Sequence, residues 1–112
     1  MASEPTIIEI LPFMREREKH LDDQDFQELQ FLLISDPERG DVIQGSGGVR
    51  KVRFKSKDRS AGKSGGIRVV YISLNEKGKI YLLWIIDKKE QKDLTPEQAK
   101  RMAFVAKTVK GE

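Results

Sequence analysis

Ile67-Arg68-Val69-Val70-Tyr71-Ile72-Ser73-Leu74 and Lys79-Ile80-Tyr81-Leu82-Leu83-Trp84-Ile85-Ile86 are the two most apolar runs of the chain, and Asn75-Glu76-Lys77-Gly78 separates them. β-Branched and aromatic residues dominate both runs, and the four residues between them suit a turn. The segment therefore reads as a hairpin at the centre of an antiparallel sheet. The run before it, Val49 to Lys55, alternates apolar and basic residues. With period two, Val52 and Phe54 share one face of a strand and Lys51, Arg53 and Lys55 the other, so one strand face is almost purely cationic. Residues 56–66 (SKDRSAGKSGG) are polar, glycine-rich and basic, which reads as a loop.

Further out, Thr6–Leu11 (TIIEIL) reads as a first strand, with Pro12 closing it or opening the next helix. The densely charged stretch from Phe13 to Leu21 predicts an exposed helix resting on Phe13, Met14 and Leu21. Asp22 is placed to cap a second helix, in which Phe26, Leu29, Leu32 and Leu33 recur on one face and Asp23 and Asp25 favour the N-terminal dipole. Asp36-Pro37 and Gly40 end it, and Gly45-Ser46-Gly47-Gly48 is too glycine-rich for an element interior. Near the C-terminus, Thr95, Pro96 and Gln98 form a capping-box pattern with proline at the first helical position, and Ala99, Met102, Ala103 and Ala106 then fall on one face. The order β-α-α-β-β-β-α predicts one α+β domain over residues 1–112, with helices packed on one face of a small antiparallel sheet.

The chain has 112 residues and a formal net charge of +3. Residues 1–48 carry 4 Lys/Arg and 11 Asp/Glu, net −7, and residues 49–112 carry 17 and 7, net +10. Without cysteine there is no disulfide framework, thiolate zinc site or thiol nucleophile, and a single histidine, His20, rules out a two-histidine acid/base ribonuclease. His20 reads as an ordinary surface residue. Serine chemistry lacks a base, and the glycines at 45–48 are not followed by the Lys-Ser/Thr of a phosphate-binding loop, so no nucleotide cofactor and no metal is implied. No signal-like segment or run of about 18 apolar residues stands out, and a soluble cytoplasmic protein is expected.

What remains is cationic. Arg50, Lys51, Arg53, Lys55, Lys57, Arg59, Lys63 and Arg68 are opposed in this region only by Asp58. Two adjacent strands and their loop would gather these charges into a field that attracts phosphates. Arg68 stands inside a central apolar strand, where an arginine either reaches the edge or points at a ligand.

The block Gly40-Asp41-Val42-Ile43-Gln44-Gly45-Ser46-Gly47-Gly48-Val49-Arg50-Lys51-Val52-Arg53, then Gly62-Lys63-Ser64-Gly65-Gly66-Ile67-Arg68-Val69-Val70-Tyr71, then Tyr81-Leu82-Leu83 and Lys88-Lys89-Glu90 with Asp93-Leu94, closely resembles the HigB-like branch of the RelE/ParE toxin superfamily. The resemblance runs from about Thr6 to the last helix. It implies a RelE-like fold and a toxin of a type II toxin–antitoxin pair, an endoribonuclease that enters the ribosomal A site and cleaves translated mRNA without a metal. In such a reaction the 2′-hydroxyl attacks the adjacent phosphate, leaving a cyclic phosphate and a free 5′-hydroxyl. The resemblance assigns Lys51, Arg53, Arg68, Lys88 and Lys89 to catalysis. Lys51 would help deprotonate the 2′-hydroxyl, Arg53 would contact phosphate, Arg68 would stabilise the transition state, and Lys88 and Lys89 would bind phosphate or protonate the leaving oxygen. Arg50, Lys55, Lys57, Lys63 and Glu90 are candidates for RNA binding, Glu90 alternatively as an ion-pair partner of a neighbouring lysine.

The partners implied are a cognate antitoxin, typically a helix-turn-helix DNA-binding protein, together with the ribosome and mRNA. The alternatives within the same fold are a ParE-like gyrase inhibitor and a catalytically weakened relative that retains RNA or antitoxin binding. Ile86-Asp87 stands where HigB-like relatives commonly carry a tyrosine, and isoleucine can neither stack on a base nor transfer a proton. Tyr71, Tyr81 and Trp84 are the remaining aromatics on the apolar strands, and their positions read as core.

Overall fold

Both alternations of the central hairpin are apolar, so neither face of its sheet can be left to water. The computed structural model describes residues 4–55 and 66–111, and there the chain covers both faces. It runs through β1 (Thr6–Glu9), α1 (Leu11–His20), α2 (Asp23–Ser35), β2 (Asp41–Val42), β3 (Arg50–Phe54), β4 (Ile67–Leu74), β5 (Lys79–Asp87) and α3 (Pro96–Lys110). The five strands form one sheet in the order β1-β5-β4-β3-β2. The helical pair α1–α2 covers one face, where Phe13, Leu29 and Leu33 pack with Val52, Phe54, Val69, Tyr71, Ile80, Leu82 and Ile85. On the other face Met102 and Ala106 of α3 pack with Val49, Val70, Ile72, Leu83 and Ile86. Each large side chain so buried contributes about 1.5–3 kcal/mol against exposure.

Two features differ from the expected arrangement within the α+β class. First, the helices do not share one face, because β4 and β5 are apolar on both sides and α3 shields the side that α1 and α2 leave open. Second, the sheet is mixed. β1 pairs parallel with β5, with Thr6 opposite Lys79, whereas the pairs β2–β3, β3–β4 and β4–β5 are antiparallel. The α1–α2 pair carries the chain from one edge of the sheet to the other, so β1 and β2 end at opposite edges.

Local signals account for the element ends. Asp22 accepts a hydrogen bond from the Asp25 backbone N–H at 2.7 Å, and the Asp25 carboxylate accepts from Asp22 N–H, a complete capping box on α2. Thr95 and Gln98 build the same device on α3. The turn between β4 and β5 is one 3-10 turn, Asn75–Lys77, closed by Gly78 in the left-handed region at φ 64°. Within β5, Val70 pairs with Trp84 and Tyr71 with Leu82, so Leu83 is an extra residue, a β-bulge. Leu83 and Trp84 consequently both pack toward α3, and every residue after them changes face.

The connector from α2 to β2 is pinned from below. The Tyr71 hydroxyl donates to the Pro37 carbonyl at 2.9 Å and accepts from the Gly40 N–H at 2.9 Å. Arg50 donates to the carbonyls of Gly40 at 2.7 Å and Glu38 at 3.1 Å. Gly40 lies so close to β3 that a Cβ there would stand 2.8 Å from the Lys51 carbonyl oxygen.

Candidate active site

Strand register brings three cations together. Arg53 of β3 lies opposite Arg68 of β4, and Arg68 lies opposite Ile86 of β5; one row along, Lys51 lies opposite Val70, which lies opposite Trp84. Val70 and Ile86 belong to the α3-side core, so Lys51, Arg53 and Arg68 share that face of the sheet. Like charges directly opposed across antiparallel strands repel, and low exposure enlarges the cost. Arg53 is exposed, whereas Arg68 is partly buried and its Nη1 is fully buried without an acceptor among the described residues. A buried guanidinium N–H left unpaired is costly in the resting protein and is available to an incoming anion.

Lys51 is the member of this row that has an ion-pair partner among the described residues. Its Nζ donates to Asp93 Oδ2 at 2.5 Å, with side-chain exposures of 31% and 53%. Asp93 sits in the segment between β5 and α3, where its other oxygen accepts from the Leu94 N–H at 2.8 Å. These contacts, the Lys51 hydrogen bond first, hold the Asp93 carboxyl below the usual carboxylate range, against an opposing effect of burial. Gln91 Nε2 donates to the Asp93 carbonyl at 2.6 Å and to Gln98 Oε1 at 2.9 Å, so the segment is tied to the capping box that starts α3.

The remaining predicted residues are distributed differently. Lys88 Nζ donates to the Lys92 carbonyl at 3.3 Å, and the Lys89 N–H donates to Asp87 Oδ1 at 2.9 Å, which places both lysines in the turn that follows β5. Glu90 is exposed in the same turn, its N–H donating to the Asp87 carbonyl. Lys55 is exposed at the end of β3. Arg50 is on the opposite sheet face from Lys51, alongside Tyr71, with its guanidinium on the connector carbonyls. Lys57 and Lys63 lie outside the described residues, as do Asp58 and Arg59.

Tyr71 is fully buried, and its hydroxyl is held above the ordinary tyrosine range chiefly by burial. Tyr81 and Trp84 pack at the margin of the α3-side core. Ile86 is 1% exposed and is part of that core.

Sequence reasoning missed two groups. Asp93 was part of a recognised pattern without a role, and nothing in its local sequence marks it as the partner of a residue 42 positions away. His20, expected to be an ordinary surface residue, lies between two carboxylates, with Nε2 3.4 Å from Glu16 Oε1 and Nδ1 3.7 Å from Asp87 Oδ2. Asp87 shares the α1 side of the sheet with Ile85, so its carboxylate faces away from Arg68. The i,i+4 spacing from Glu16 was a readable signal for half of this cluster. Among the described residues no group of three or more His, Cys, Asp or Glu could hold a metal ion, and no helix is long and apolar enough to cross a membrane.

No family profile matches the sequence. Solved structures do match the fold. The isolated Escherichia coli RelE toxin superposes with a TM-score of 0.55 at 13% identity, over 90% of this chain and 98% of that one. This chain has the RelE fold. An arginine double mutant of E. coli RelE in the free state gives a TM-score of 0.58 at 15% identity, covering 92% of this chain and 97% of that one. A chain from the intact E. coli RelBE toxin–antitoxin complex gives 0.54 at 16% identity, over 74% and 95%. The two matches to free RelE cover nine-tenths or more of this chain.

Proposed function

We propose that this chain is a toxin of a type II toxin–antitoxin pair that cleaves translated mRNA in the ribosomal A site. The observation that carries the reading is the row Lys51, Arg53 and Arg68 on one sheet face, with a buried Arg68 N–H that lacks an acceptor among the described residues. Attack of a ribose 2′-hydroxyl on the adjacent phosphorus builds negative charge on the non-bridging oxygens, and preorganised cations aimed at that charge lower the barrier. Arg68 supplies the buried donor. Arg53, exposed and directly opposite, supplies the second charge and orients the phosphate. Lys51 Nζ, once it has left Asp93 for the substrate and given its extra proton to solvent, takes the 2′-hydroxyl proton. Lys88 or Lys89 donates the proton to the departing 5′-oxygen, and the products are a 2′,3′-cyclic phosphate and a 5′-hydroxyl end.

The test is expression in a translating cell or cell-free extract, with primer extension on a reporter mRNA. The parent protein should stop translation and produce 5′-hydroxyl ends within the reading frame. Arg68→Ala and Lys51→Ala should each lower cleavage by about 100-fold or more, the scale for losing one transition-state donor. Full toxicity of both variants would refute the assignment.

The burial of Ile86 favours one second reading, a relative that binds RNA or an antitoxin with weakened catalysis, because the side chain at this position belongs to the core. Translation arrest without mRNA ends would support it.

A further inference from the structure

On the α2 side of the sheet, an open groove of about 640 Å³ runs between α2 and the outer edge of β3, lined by residues that include Gln24, Gln27, Phe31, Leu32, Arg39 and Phe54. Arg53 and Lys55 line it as well, and Glu28 contributes the one carboxylate. Its volume is in the range of about 300–1,000 Å³ typical of small-molecule sites. Phe31 is 73% exposed, whereas Leu29 and Leu33 on the same helix are fully buried. β2 covers β3 only at Arg50 and Lys51, so among the described residues no strand pairs with the outer edge of β3 beyond them.

We propose that this groove is a nucleobase subsite, in which one base of a single-stranded RNA stacks on Phe31 while its flanking phosphate lies on Arg53, Lys55 and Arg39. The inference rests on the RNA-cleaving reading above and extends it to the nucleotides beside the reacting phosphate. Three observations support it. Arg53 belongs both to the arginine pair and to the groove wall, so one strand of RNA can pass from the first to the second around the β3 edge. Three cations against one carboxylate suit a phosphate. An exposed aromatic ring flanked by amides and a carboxylate supplies a stacking face together with donors and acceptors for a base edge. A protein partner of acidic chemistry could also use the cations, but the amides and the isolated exposed ring are better matched to a base.

The experiment measures binding of a single-stranded oligoribonucleotide, 2′-O-methylated to prevent cleavage, to the full chain by fluorescence anisotropy. Phe31 is exposed, so its substitution leaves both cores intact, and circular dichroism checks this. Phe31→Ala should weaken binding at least about fivefold, the lower end of the loss of one base–aromatic stack. Phe31→Leu should be as weak as Phe31→Ala, and Phe31→Trp should bind at least as well as the parent, with indole fluorescence quenched by the RNA. Arg39→Gln should reduce the slope of log affinity against log salt by about one contact.

Unchanged affinity in Phe31→Ala, alongside weaker binding in Lys51→Ala, would overturn the subsite while leaving the RNA reading in place. Loss of a polyglutamate probe rather than RNA in Phe31→Ala would overturn it in favour of a protein partner. No RNA binding by the parent would overturn the subsite, and the ribosome-dependent reading would then stand or fall on the primer-extension test.

Discussion

Arg53 and Arg68 stand directly opposite each other on neighbouring antiparallel strands, and among the described residues neither has an ion-pair partner. Such a pair destabilises the fold and is tolerated where something other than stability selects it. Replacing Arg68 with a methionine of similar length removes both the repulsion and the buried unpaired N–H. Arg68→Met should therefore stabilise the protein by about 1–2 kcal/mol, raising the melting temperature by several degrees, while abolishing cleavage. Calorimetry and primer extension on the same preparation check the opposed signs.

Asp93→Asn leaves the Leu94 N–H its acceptor and removes the charge that holds Lys51. Both side chains are substantially exposed, so stability should change by less than about 1 kcal/mol. RNA cleavage should rise, because the substrate no longer competes with a carboxylate for Lys51. The pH dependence has a defined sign. The folded-state pKa of Asp93 is depressed, so the pair contributes fully above the unfolded carboxylate value of about 4 and is lost as pH falls through the lower folded value. The stability difference between parent and variant should vanish only on that acid side, as read by urea unfolding at stepped pH.

Tyr71→Phe keeps the ring but strands the Gly40 N–H and the Pro37 carbonyl. The expected cost is about 1–3 kcal/mol, with cleavage per folded molecule unchanged. Burial raises the folded pKa of Tyr71, so its contribution is complete below the unfolded value of about 10 and is lost as pH rises toward the folded one. Stability of the parent should fall above about pH 10 more steeply than that of Tyr71→Phe, with tyrosinate absorbance as the marker.

Gly40→Ala tests the close approach of the connector to β3. A Cβ would stand 2.8 Å from the Lys51 carbonyl oxygen and 3.0 Å from the Tyr71 ring, both fixed, so the connector must move. A loss of about 1–3 kcal/mol is expected in thermal unfolding.

Much of this structure is written locally. The two capping boxes, the hairpin and the alternation of Lys51 and Arg53 against Val52 and Phe54 depend on neighbours within a few residues, and sequence periodicity exposes them. The parallel pairing of β1 with β5 does not, because Thr6 and Lys79 meet only after the helical pair has crossed the sheet. The second covered face is legible in principle, since Val69 and Val70 cannot both face the same helix, but which helix covers which face depends on the tertiary arrangement. Charge and resemblance single out Lys51, Arg53 and Arg68, and the strand register places the three on one sheet face. The separation of Arg50 onto the other face follows from strict alternation, and its hold on the connector requires the tertiary arrangement. Asp93 could not be assigned a partner from its own surroundings.

The extra residue at Leu83 acts as a phase correction for everything that follows it in β5. Counting by twos from Ile80 without it would send Asp87 to the side that holds the arginines, and Ile86 to the side of α1. With it, the carboxylate goes to His20 and the isoleucine closes the floor beneath Arg68. One uncounted backbone unit thus sorts negative from positive charge across the thickness of the sheet.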